Sequence, residues 1–337
     1  MDSNKKNEPT RIVDLLGEGF LAKLNPEGRV KRMTTKPLGK IPADGQGLTR
    51  QEAKLIEAGA KIATVPPGPD DWVYNHAILC QVGLPRAKVE GREFLRQSGA
   101  AWINVQAGVL DEGRGPVLQP IPYGVIPRLA LAWITTEAVR SKNREIRIGD
   151  SAAEFLQTIG LDDAGRRYSM LRKQMHALAA CRLQLGFRGE TYNGQPVKRF
   201  SAWLANQDQH QRALWPGTLI LEQDYFDTLL ESAVPLDRRA LHTLKGSALA
   251  LDVYAWLAHR LHRLEGKGVP LHWTSLREQF AQEYAGKDPD KDFKKEFLPA
   301  LRKVMTAYPQ AKVKPVRGGL LLLPSPPPMP YKGGPTR

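Results

Sequence analysis

The reading of the fold turns on residues 248–324: ALALDVYAWLAHRLHR (248–263), VPLHW (269–273), SLREQFAQEYAG (275–286), a basic run from Lys291 to Tyr308, and AKVKPV-RGG-LLLLP (311–324). The first segment is apolar at helical spacing, and VPLHW alternates as a strand does. Thr274 and Ser275 stand where a helix is capped, with Glu278 three residues after a hydroxyl. In the basic run Phe293, Phe297, Leu301 and Val304 fall on one helical face, while Lys291, Lys294, Lys295, Arg302 and Lys303 fall mainly on others. Arg317-Gly318-Gly319 then joins two strands into a hairpin. Helix, strand, helix, turn, helix, hairpin is the order of a winged helix-turn-helix.

Upstream, the chain says nearly the same thing. PRLALAWITTEAVR (127–140) predicts a helix and EIRIG (145–149) a strand. Asp150 and Ser151 precede AAEFLQTIG (152–160), with Glu154 placed to close a capping box from Ser151, and a basic helix begins near Arg166 (RRYSMLRKQMHALAA). Three β-type stretches follow: CRLQLGF, PVKRFSAWL and GTLILEQ. Two such orders in tandem carry more weight than one. The predicted fold is α+β and helix-rich, with tandem winged helix-turn-helix domains at 120–232 and 235–324. A partly disordered extension (1–65) precedes them, rich in Lys, Gly and Pro, with one helix at 49–63. Residues 66–119 are expected to form a helical segment on the first domain, with helices near 72–83 and 92–101, and 325–337 a flexible tail.

The net charge is +14, and its position is informative. Residues 1–120 carry 17 basic and 14 acidic side chains, 121–234 carry 14 and 12, and 235–337 carry 18 and 9. A positive excess gathered in the last third is the footprint of nucleic-acid binding. In a helix-turn-helix the second helix enters the major groove. This makes Lys291, Lys294, Lys295, Arg302 and Lys303 candidate DNA contacts, joined by Lys312, Lys314 and Arg317 of the hairpin. In the first domain Arg166, Arg167, Arg172 and Lys173 hold the same place beside apolar Met170, Leu171, Met175 and Leu178. That domain is nearly neutral, so dimerisation, giving a homodimer, and DNA contact both stay open for it. Pro299 predicts either a bend in the basic helix or a helix that starts only after Leu298.

Other chemistry is not supported. The sequence has no GxxxxGK[ST] phosphate loop. His259 and His262 lie three apart without a third ligand and read as surface residues. Tyr168 has no histidine or carboxylate set around it, and the Asp pairs at 70–71 and 162–163 read as turn and cap residues. No catalytic residue, metal or cofactor is expected, and the chain reads as a non-enzyme. Cys80 and Cys181 suggest no disulfide framework, which fits a reducing bacterial cytoplasm. No apolar run approaches the roughly 18 residues of a membrane span, and no apolar core follows the N-terminus as in a signal peptide.

From about residue 72 onward the chain resembles the plasmid-encoded RepA replication initiator proteins of Gram-negative bacteria. The matching stretches are HAILCQVGLPR, PYGVIPRLALAWITTEAVR with REIRIG, RRYSMLRKQMHALAACRL, RALHTLKGSALALDVYAWLAHRLHR, SLREQF and RGGLLLLPSPPP. The resemblance implies sequence-specific binding to repeated sites in double-stranded plasmid origin DNA, recruitment of host replication proteins, and repression of the protein's own gene. A winged-helix transcriptional repressor without replication activity is the alternative reading.

Overall fold

The computed structural model describes residues 49–113, 115–200, 217–283 and 286–330. The predicted extension before residue 49, the end of PVKRFSAWL and the tail from 331 lie outside the described residues.

Thr49 opens α1 (Arg50–Thr64) with a complete capping box: its hydroxyl accepts the Glu52 N–H at 3.2 Å, and the Glu52 carboxylate accepts the Thr49 N–H at 2.9 Å. The next segment departs from expectation. Residues 72–83 divide into strand β1 (Trp72–His76) and the short helix α2 (Ala77–Gln81), and residues 92–101 form strand β2 (Glu93–Ser98) and the turn into β3 (Ala101–Gln106). The short hairpin β4 (Val109–Asp111) and β5 (Pro116–Leu118) follows. The segment expected to be helical therefore holds more strand than helix. EFLRQS buries Phe94 and Arg96 and exposes Glu93, Leu95 and Gln97, the period-two alternation of a half-buried strand.

The first predicted series is α3 (Val125–Ser141), β6 (Glu145–Arg147), α4 (Ala152–Thr158) and α5 (Gly165–Ala180), then β7 (Arg182–Phe187), β8 (Glu190–Gly194), β9 (Val197–Phe200) and β10 (Thr218–Leu221). Helix α6 (Gln223–Ser232), strand β11 (Ala233–Asp237) and helix α7 (Arg238–Leu244) lead into the second series. That series is α8 (Ala248–Arg260) with a 3-10 turn at Leu261–Arg263, β12 (Val269–His272), α9 (Trp273–Ala281), α10 (Pro289–Ala307), β13 (Lys312–Val316) and β14 (Gly319–Leu323).

The two series make the same sheet. The first has the order β6-β10-β9 and the second β12-β14-β13, antiparallel throughout, so in both the last strand lies between the other two. The difference is an insertion. Of the three expected β stretches, CRLQLGF does not join this sheet; the β7–β8 hairpin completes a four-stranded sheet β2-β3-β7-β8 with the upstream hairpin. Strand β1 pairs with β11, binding the upstream segment to the connection between the series.

Local signals mostly hold. Ser151 caps α4 by accepting the Glu154 N–H at 3.1 Å, and the Glu154 carboxylate reaches back to the Asp150 N–H at 2.7 Å, one residue before the expected partner. Thr274 and Ser275 do not cap α9, which begins at Trp273 without a side-chain cap. The Thr274 hydroxyl instead donates to Asp290 at 2.8 Å, and Arg277 meets the same carboxylate at 2.6 Å, bracing α9 against the first turn of α10.

Candidate nucleic-acid interface

Asp288 caps α10 and Pro289 occupies its first position, where a missing N–H costs nothing. The helix contains Pro299 and runs unbroken to Ala307, so the lysines before the proline are helical and the start after Leu298 is excluded. Phe293, Phe297, Leu301 and Val304 are buried as their spacing predicts. Phe297 packs against Phe293, Phe280 and Trp273 at centroid distances of 5.0, 5.7 and 6.1 Å. This aromatic cluster fixes the rotation of α10 about its axis and so decides which side chains point outward.

Those side chains are Lys291, Lys294, Lys295, Arg302 and Lys303, all exposed. On β13, Lys312 and Lys314 are exposed on either side of buried Val313, and Arg317 is exposed at the hairpin turn, where Gly318 takes φ +85°. The acids nearby are largely engaged within the protein. Asp290 is held by Arg277 and Thr274, and those bonds keep its carboxyl below the usual range. Asp292 pairs with Lys295 at 3.0 Å, and Glu296 lies 3.5 Å from Arg86. Lys294 rests 5.2 Å from the Trp273 ring centroid, which restrains the ammonium without neutralising it.

The corresponding face of the first series is partly spoken for. Arg166 and Lys173 are exposed, with Lys173 5.7 Å from the Tyr123 ring centroid. Arg167 pairs with Asp162 at 2.5 Å and Arg172 with Glu112 at 3.1 Å. Glu112 also meets buried His176 at 3.2 Å, whose imidazole is pushed down chiefly by burial. Leu171, Met175 and Leu178 are buried, whereas Met170 faces solvent.

Sequence reasoning passed over two exposed cations here. Lys198 and Arg199 lie on β9, the strand equivalent to β13, and the likeness of PVKRF to KVKPV was the available signal. It also passed over the buried ions that join the two series. Arg128 of α3 and Asp252 of α8 form a two-point ion pair at 2.6 and 2.7 Å, each side chain 8% exposed. Arg96, fully buried, reaches Glu283 at 2.9 Å, and Arg86 meets the same carboxylate at 3.2 Å.

His259, expected at the surface, is buried. Burial, with Arg263 and other cations nearby, lowers its pKa to about 4. Among the described residues no three His, Cys, Asp or Glu side chains gather as metal ligands would. No described helix is long and apolar enough to cross a membrane.

The α+β architecture and the basic face come together with a sequence-family match. Residues 121–273 match the family model described as plasmid encoded RepA protein. That stretch, from the loop before α3 to the start of α9, is thus similar to plasmid-encoded RepA proteins. Two solved structures are similar to it. The crystal structure of RctB domains 2-3 (residues 155–483 of RctB) shares 14% identity at a TM-score of 0.44, over 73% of this chain and 94% of that one. A selenomethionine crystal structure of domains 2 and 3 of RctB shares 14% identity at a TM-score of 0.46, over 74% and 99%. No curated protein sequence matches the chain.

Proposed function

We propose that this protein initiates plasmid replication by binding repeated sites in the double-stranded origin through two winged helix-turn-helix units, and that it then recruits host replication proteins. The observation that carries the reading is the repeated sheet order, β6-β10-β9 and β12-β14-β13, each behind a helix pair, with eight exposed cations on α10 and the β13–β14 hairpin of the second unit. Helix α10 is the recognition helix and β13–β14 the wing. Lysine and arginine there neutralise phosphates and release counterions, which gives strong, salt-sensitive affinity. Arg302 can also form a bidentate contact with guanine. The first unit contributes fewer phosphate contacts, since two of its four candidate cations, Arg167 and Arg172, are paired with acids, against Lys295 among the eight of the second unit.

The test is binding to origin duplex and to scrambled duplex across a salt series, with wild type and Lys294→Ala/Lys295→Ala. The expected preference for the origin is about a thousandfold or more, with a salt slope lower by roughly two in the double variant. Equal binding to both duplexes refutes sequence-specific initiation by this chain alone. Preserved specificity with an unchanged slope refutes α10 as the recognition helix.

A further inference from the structure

The sequence AHRLHR (258–263) closes α8 with His259, Arg260, His262 and Arg263 in six residues, and DNA binding as proposed uses none of them. His259, Arg260 and Arg263 border a recess of about 320 Å³ between the end of α8, the β2–β3 turn at Ser98 and Gly99, and Gln279 of α9. Trp256, 1% exposed, forms its floor, with the Arg260 guanidinium 5.9 Å from the indole centroid.

The charge balance here differs from that around four other buried or half-buried arginines. Arg86 and Arg96 meet Glu283, Arg128 meets Asp252, and Arg239 meets Asp237. These four arginines are thus answered by carboxylates, as the cost of burying an unpaired charge demands. Among the described residues Arg260 and Arg263 have no carboxylate within ion-pair distance, and the Arg260 Nε is buried without an acceptor. The charges acting on His259 come from Arg263, His262 and Arg260, with no acid among them. His259 Nε2 meets an Arg263 guanidinium nitrogen, so a neutral imidazole orients one of the two cations.

We propose that this recess binds a phosphate-bearing small molecule, whose oxygens supply the negative charge that Arg260 and Arg263 lack. Guanidinium forks match phosphate oxygens in pairs, and two of them around one recess favour an anion with several oxygens over a single carboxylate. A pocket floored by tryptophan and walled by a hairpin turn suits a small anion better than the continuous backbone of a duplex. Such a ligand would brace the β2–β3 hairpin against α8.

Titration calorimetry of the full chain with inorganic pyrophosphate and with ATP, in chloride buffer, tests this independently of origin binding. The expected result is saturable binding of both to the wild type, weakened about tenfold or more in Arg263→Gln. Arg263 is exposed, so that variant should keep the wild-type melting temperature. Arg260→Lys, which keeps the charge but loses the fork, should weaken binding as well. Absence of binding, or equal binding by wild type and both variants, overturns the proposal. If origin duplex displaces pyrophosphate and Arg263→Gln weakens duplex binding, the cluster belongs to the DNA interface and the small-molecule site is refuted.

Discussion

Replacing Asp252 with asparagine removes one charge from the buried clasp between α3 and α8 and leaves its volume nearly unchanged. Asp252 accepts from Arg128 Nε at 2.6 Å and from Nη2 at 2.7 Å. Arg128 also donates to the carbonyls of Leu84 (2.6 Å), Gly124 (2.7 Å) and Pro85 (3.0 Å). One guanidinium therefore ties together α3, α8 and the loop after α2, from positions up to 124 residues apart. In Asp252→Asn the carbonyls remain, but the guanidinium charge stays buried without a counter-ion. Breaking such a pair costs about 3–5 kcal/mol. At about 2–4 °C per kcal/mol for a chain of this size, the melting temperature falls by roughly 6–20 °C. Calorimetric melting and urea titration of the two proteins measure this. Arg128→Met/Asp252→Leu should recover part of the loss, because no unpaired charge is left inside. Gly83→Ala should mimic the single variant, since its Cβ would stand 2.6 Å from an Asp252 carboxylate oxygen. A loss below about 1 kcal/mol in Asp252→Asn would mean that the clasp is open to water or redundant, and the reasoning would fail.

Three other outcomes are expected. His76 is buried, its Nδ1 accepts the Ile78 N–H at 3.1 Å, and burial lowers its pKa to about 4. Its folded pKa lies below the unfolded 6.5, so it leaves stability untouched above about pH 6.5 and destabilises progressively down to about pH 4; His76→Asn, which keeps a capping acceptor, should flatten that part of a stability-against-pH curve. Pro299 is exposed inside α10, so Pro299→Ala should raise stability by about 1–3 kcal/mol in urea titration, and a loss would show that the helix needs the proline's local geometry. Lys198→Ala/Arg199→Ala should lower the salt slope of origin binding by roughly two if β9 follows the backbone as β13 does; an unchanged slope removes the first wing from the interface.

What the sequence determined by itself is the local part of the protein. Helices α1, α3, α4, α5, α8 and α10 were legible because a helix satisfies its own hydrogen bonds within a few residues and marks its buried face every third or fourth position. Thr49 and Ser151 announced helix starts for the same reason, and Phe293 and Phe297 announced the face of α10 that is buried. The exposed lysines of its other faces followed from these, since whatever is not turned inward on such a helix must meet water. Only the tertiary structure decided the strands and the buried charges. WVYNH reads as part of a helix until β11, some 160 residues later, supplies its partner, and β7 reads as part of a wing until β3 claims it for another sheet. Thr274 left its capping role because Asp290 stood within reach across a turn. Arg128 with Asp252, and Arg260 with no acid in ion-pair reach among the described residues, are charged side chains whose meaning depends on what lies opposite. Strand pairing and charge compensation act across space between residues far apart in the chain, so periodicity within one segment carries little information about them.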